Sequence, residues 1–171
     1  METIDSGIPW STAAGWQEAN ASLAHSLARH RRQLAEARRL ARTLHDRLIS
    51  LFPLLDDLCA RTCPACTDVC CRRAWVWADF RDLLFFHLAG VSPPEAQLPA
   101  GRGEHCRYGT AGGCRLDRLQ RPFVCTWYIC PAQTRWLERH PARREKLNTT
   151  LTAIKKNRRR MEDVFIHGVF R

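Results

Sequence analysis

Eight of the nine cysteines in this 171-residue chain fall between positions 63 and 130, and that crowding limits what the middle of the molecule can be. The first group reads Cys63-Pro64-Ala65-Cys66-Thr67-Asp68-Val69-Cys70-Cys71, and the second is spread over Cys106, Cys114, Cys125 and Cys130. Cys-x2-Cys brings two thiolates to one ion from a tight turn, and four sulfurs complete a tetrahedral site. Pro64 favours the turn because its ring fixes φ and removes an amide hydrogen. Neighbouring side chains diverge, so Cys70 and Cys71 are expected to serve different ions or to bridge them. The pattern predicts two metal positions or a polynuclear cluster. Soft thiolates suit zinc and iron alike, iron–sulfur clusters included.

Disulfides are the alternative use of so many cysteines, but an odd total and a vicinal pair weigh against them. Met1 to Ser11 has neither a basic n-region nor an apolar h-region, so no signal peptide is expected. The expected location is cytoplasmic, where thiols stay reduced. No apolar run approaches the roughly 20 residues of a membrane helix, so no membrane partner is expected. The length suggests one domain over residues 1–171. Within it lie an N-terminal helical segment (16–58), a cysteine-cluster core (59–131) and a basic C-terminal helical segment (132–171).

The formal charge of +10 is concentrated at the C-terminus, where residues 132–171 carry 11 basic and 4 acidic groups. Eight thiolates on two divalent ions would lower the total to about +6. Lys155, Lys156, Arg158, Arg159 and Arg160 form the densest basic run. Clustered cations bind phosphates by counterion release, yet no aromatic residues interleave with the run and no nucleic-acid-binding module surrounds it. A solvated helix face is preferred, with an acidic partner or nucleic acid as the alternative.

Leu23, Leu27, His30, Leu34, Ala37, Ala41, Leu44, Leu48, Leu51, Leu55 and Leu58 alternate spacings of four and three. They predict one long helix from Trp16 to about Leu51, kinked or restarted by Pro53. The stripe is either buried or the seam of a coiled-coil homodimer. His30 reads as a packed residue of that stripe. Cys59-x3-Cys63-x2-Cys66 matches the iron–sulfur spacing of radical S-adenosylmethionine enzymes, but no strands supply the barrel such enzymes need. Cys59 therefore reads as an ordinary small buried residue outside the ligand set.

Downstream, Trp75-Val76-Trp77-Ala78 reads as a short extended piece. Asp79 and Asp82 open a helix that stops before Gly90, with His87 at its cation-favouring end. Residues 91–103 form a loop. Pro131 and Pro141 each begin a helix. The second runs to about His167, with Leu147, Leu151, Ile154, Met161, Val164 and Phe165 at helical spacing. The predicted fold is mainly α, with long N- and C-terminal helices packed antiparallel and the irregular cysteine-rich region between them.

The second cysteine group carries further pattern: Cys106, Gly113-Cys114, and Arg121-Pro122 followed by Cys125. With Cys63, Cys66, Cys70 and Cys71, it resembles the CxxCxxCC or YkgJ-like cysteine-cluster family of zinc- or iron-chelating domains. The resemblance covers roughly residues 63–131. It departs from the pattern in having three residues between Cys66 and Cys70, and in lacking a glycine before the vicinal pair. It implies metal binding by the cysteine cluster. Arg121 is expected to donate to backbone carbonyls or to thiolates, and Pro122 to stiffen the approach to Cys125. His105, beside Cys106, is the candidate nitrogen ligand.

The metal set is thus Cys63, Cys66, Cys70, Cys71, Cys106, Cys114, Cys125 and Cys130. The expected function is a zinc- or iron-holding binding or structural module, since closed four-sulfur sites leave no open coordination position. Flagellin lysine methylases carry a similar cluster, and that likeness implies an iron–sulfur enzyme as the alternative. A metal-stabilised nucleic-acid binder is the third reading. The chain has no phosphate-cradling glycine-rich loop, no paired carboxylates beside a histidine and no cofactor motif.

Overall fold

The computed structural model describes residues 7–64, 66–67, 70, 76–99, 104–110 and 113–170. It is mainly helical. The first helix, α1 (Ala13–Arg29), opens at Thr12, whose Oγ1 accepts the Gly15 amide at 3.0 Å and satisfies one orphan donor of the first turn. A turn over residues 30–34 follows, and α2 (Ala35–Thr62) continues the chain.

The single helix expected through this region is therefore two. Periodicity missed the break because the apolar ladder crosses it: Leu27 and Leu34, on either side, are both buried. The Leu34 amide still bonds the His30 carbonyl at 3.1 Å, which keeps Leu34 near its helical place. Arg38 reaches back to the Leu27 carbonyl at 3.3 Å, one of the acceptors that the end of α1 leaves without a helical partner. His30 caps α1, its Nδ1 3.0 Å from the Ser26 carbonyl. Pro53, expected to interrupt the helix, lies inside α2. Its missing amide concerns the Ile49 carbonyl. Pro53 and Ile49 are both exposed, so water can take that carbonyl, while buried Phe52, Leu54 and Leu55 anchor the helix around it.

Next comes α3 (Phe80–Ala89), closed at its start by a reciprocal bond: the Asp82 amide donates to Asp79 Oδ1 at 2.9 Å, and the Asp79 amide to Asp82 Oδ2 at 3.0 Å. It ends at Gly90, whose φ of 72° is the left-handed conformation glycine takes most readily. Strands β1 (Gly109–Thr110) and β2 (Gly113–Cys114) form a small antiparallel ladder. Then follow a 3-10 turn (Arg118–Gln120), α4 (Val124–Trp127), α5 (Pro131–Glu138) and α6 (Pro141–Phe170).

As predicted, α6 runs antiparallel to α2. Arg160 pairs with Glu36 at 2.7 Å near one end, and Arg143 pairs with Asp57 near the other. The stripe Leu34, Ala37, Ala41, Leu44, Leu51 and Leu58 is buried with Leu147, Ile154 and Met161 in one core. Of the two uses expected for this stripe, the structure shows the buried one: the chain's own core covers it.

Loops are docked by side chains. Trp16 Nε1 donates to the Pro94 carbonyl at 2.8 Å. Gln97, fully buried, accepts from the Ala78 amide and donates to the Ala78 and Pro9 carbonyls. His87 Nε2 lies 2.8 Å from Asn20 Oδ1, and burial holds its pKa below the ordinary imidazole value. At this helix end the ring is half-buried and hydrogen-bonded to α1.

Candidate functional site

At its C-terminal end α2 carries Cys59 and Cys63 four residues apart, on one helix face. Cys63 caps the helix, its amide bonded to the Cys59 carbonyl at 2.8 Å, and the Cys66 amide folds back on the Cys63 carbonyl at 3.0 Å. This is the tight turn that Pro64 favours. Thr62 Oγ1 lies 3.9 Å from Cys63 Sγ. Burial raises the Cys63 pKa, and the thiols of Cys59 and Cys130 stand close enough to raise it further.

Cys130 arrives from the other end of the cysteine-rich region as the N-cap of α5. Its amide donates to Gln133 Oε1 at 3.3 Å, while Gln133 Nε2 points its hydrogens at Cys59 Sγ from 3.7 Å. Arg118 Nη2 donates to the same sulfur from 3.9 Å, and Arg118 Nε holds Asp56 at 2.7 Å. Cys59, set aside on sequence grounds, is therefore a member of the Cys63–Cys130 neighbourhood. Gln133 was also missed, although its place three residues after a Cys-Pro helix start is a capping-box spacing that signals it.

A second gathering surrounds a small apolar cluster of Val76, Leu98, Cys106, Tyr108 and Leu116, with Cys114 and Cys125 packed against it. Cys106 is buried, and burial first, then Cys114, raises its thiol pKa, opposed by the amides of Tyr108 and Gly109. Tyr108 anchors the cluster, its hydroxyl 3.0 Å from both the amide and the carbonyl of Ala96. Arg121 Nε donates to the Leu116 carbonyl at 3.0 Å, the backbone role among the two expected of it. The Pro122 carbonyl accepts the Cys125 amide at 2.9 Å.

Of the other expected residues, Cys66 and His105 are exposed and Cys70 is half-buried. Cys71 lies outside the described residues. Cys59, Cys63, Cys106, Cys114 and Cys130 stand as thiols, not disulfides. Among the described residues, no three of His, Cys, Asp or Glu lie close enough together to hold an ion.

A charged hub that the sequence did not signal sits beside these groups. Arg158, on the buried side of α6, donates to Asp82 Oδ1 at 2.7 Å and to Asp79 Oδ1 at 2.9 Å, and its guanidinium lies 4.7 Å from the Phe123 ring centre. The Phe123 amide donates to Asp82 Oδ1 at 3.0 Å. Burial lifts the Asp82 pKa to about 6, opposed by Arg158 and by the two amides, while the Asp79 carboxylate adds to the rise. The hub thus ties α3 and α6 to the segment that leads into Cys125. It also divides the basic run: Arg158 is buried and Arg160 pairs with Glu36, so the five residues are not one solvated face.

Comparison with known proteins identifies no relative. No protein-family model, no curated protein and no solved structure matches the chain.

Proposed function

We propose that the chain is a thiolate metal-binding protein with a structural or binding role, holding zinc or iron as the YkgJ-like proteins it resembles are described to do. One observation carries the reading: Gln133, which accepts the Cys130 amide, also reaches Cys59 Sγ from 3.7 Å, so the Cys130 end of the cysteine-rich region is docked against the end of α2 that carries Cys59 and Cys63. The chemistry of the donors suits soft ions. Cys63, Cys66 and Cys130 would serve one position with Cys59 at their side. Cys106, Cys114 and Cys125, packed around the second apolar cluster, would serve another, with Cys70 and Cys71 completing or bridging the sets. Drawing each set onto an ion requires the sulfurs to close up, and Cys63 and Cys66 stand at the C-cap of α2 and in the turn that follows it.

A binding role is preferred to catalysis because four thiolates around an ion leave no place for substrate. The test is anaerobic purification followed by elemental analysis and a visible spectrum. Colourless protein with about two zinc ions supports the structural reading. Brown protein with iron and acid-labile sulfide makes the centre an iron–sulfur cluster. Protein that takes up neither metal, with every thiol equally open to alkylation before and after zinc is added, refutes the proposal.

A further inference from the structure

The basic run of α6 has no aromatic neighbours in sequence, but the fold brings Trp127 to it, with Tyr128 beside Trp127. Trp127 and Tyr128, at the end of α4, are 42% and 43% exposed. Their rings meet edge to face, with centres 6.5 Å apart, and Lys155 Nζ of α6 stands 5.3 Å from the Trp127 ring centre. Large aromatic side chains held out in water at a cationic helix face are candidates for contact.

The cations beside them are available. Lys155, Lys156 and Arg159 are all exposed and, at 3.6 residues per turn, fall within an arc of about 100° on α6. Arg158 and Arg160 of the same run are held by carboxylates. Lys155, Lys156 and Arg159 are in no ion pair among the described residues. Glu145 and Asp163 lie on the same arc, about 15 and 12 Å along the axis from Lys155, and they bound the patch.

We propose that Trp127, Tyr128, Lys155, Lys156 and Arg159 form a binding surface for single-stranded nucleic acid. Unpaired bases stack on the two rings, and the flanking phosphates lie along the α6 cations. A single strand fits better than a duplex, whose bases are already stacked on one another and offer no free face. It fits better than an acidic protein because carboxylates would use the cations and leave two exposed rings without a role.

The test measures anisotropy of a labelled oligothymidylate of about 12 nucleotides added to the full chain, against a duplex of equal length and against polyglutamate as competitor. Three cations predict a slope of about −2 for log K on log salt, or about 20-fold weaker binding between 50 and 200 mM. Trp127→Ala is expected to weaken binding about tenfold or more, and Trp127→Phe to retain most of it. Lys155→Gln and Arg159→Gln should each flatten the slope by about 0.7. Arg31→Gln with Arg32→Gln, cations exposed at the α1–α2 turn, should leave affinity within about twofold if the patch, not net charge, is responsible. Far-UV circular dichroism identifies any variant that fails to fold, and Tyr128→Ala then stands in for it. The proposal is overturned by no binding, by equal binding of the duplex with no loss in the ring variants, or by polyglutamate displacing the strand at equal charge.

Discussion

Arg158 departs furthest from what its neighbours in sequence suggest. Four other cations surround it in the run from 155 to 160, yet its side chain is only 8% exposed, and it faces two carboxylates. A buried pair is costly to break because the remaining charge is left without compensation. Arg158→Met is therefore expected to destabilise the protein by about 3–5 kcal/mol at pH 7, and Arg158→Met with Asp82→Leu to recover much of the loss, both read by urea unfolding. Titration gives a separate check. Asp82 has a folded-state pKa of about 6 against an ordinary 3.8, so folding favours its protonated form. Its contribution to stability is fully present below pH 3.8 and is lost as pH rises through about 6. The stability difference between wild type and Asp82→Asn should accordingly shrink between pH 4 and 6.5. A difference that grows over that range would mean that Arg158 outweighs burial.

At the scale of elements, the helix ends follow local chemistry. Gly90 has φ of 72° with nothing within 4 Å of an added Cβ, so Gly90→Ala meets no clash and probes the backbone alone. A loss of about 1 kcal/mol is expected, visible as a lower thermal midpoint with unchanged helix content. The caps at Asp79 and Gly90, the starts at Pro131 and Pro141, and the antiparallel partnership of α2 with α6 were all legible, because each rests on residues a few positions apart or on a sustained apolar period. The break at 30–34 was not, since Leu34 keeps the period through it. The place of Cys59 was not legible either: an apolar helix face explains a cysteine just as well as a ligand role does. Contacts from distant parts of the chain, Gln133 of α5 and Arg118, give that thiol its company. In protein that holds metal, Cys59→Ser is expected to lower occupancy or affinity at the Cys63–Cys130 position by about 10-fold or more, measured by competition with a chelating dye. Unchanged affinity would return Cys59 to the role of a packed thiol.

Across the whole molecule, two cores of unequal size divide the work. The larger draws on α1, α2, α3, α5 and α6 and, among the described residues, includes no cysteine, whereas the smaller is built around Cys106 with Cys114 and Cys125 against it. If the proposed ions bind, stripping them should loosen the smaller cluster and leave the helices standing. A metal present at 100 times its dissociation constant contributes about 2.7 kcal/mol, which is about 5–11 °C in a chain of this size. Chelation is thus expected to lower the thermal midpoint by that amount while the far-UV helical signal persists. Collapse of the helical signal on chelation would show that the larger core depends on the metal after all.

Sequence alone determined the helical class, the antiparallel pairing of the long helices and the concentration of thiols in the middle, because periodicity, caps and residue type act over short stretches of chain. Tertiary structure decided which thiols are neighbours, which arginine of a basic run is buried, and which rings face the remaining cations. Those are meetings of residues more than 70 positions apart, such as Cys59 with Gln133 and Asp82 with Arg158, and they depend on how helix faces are rotated against one another rather than on any local pattern.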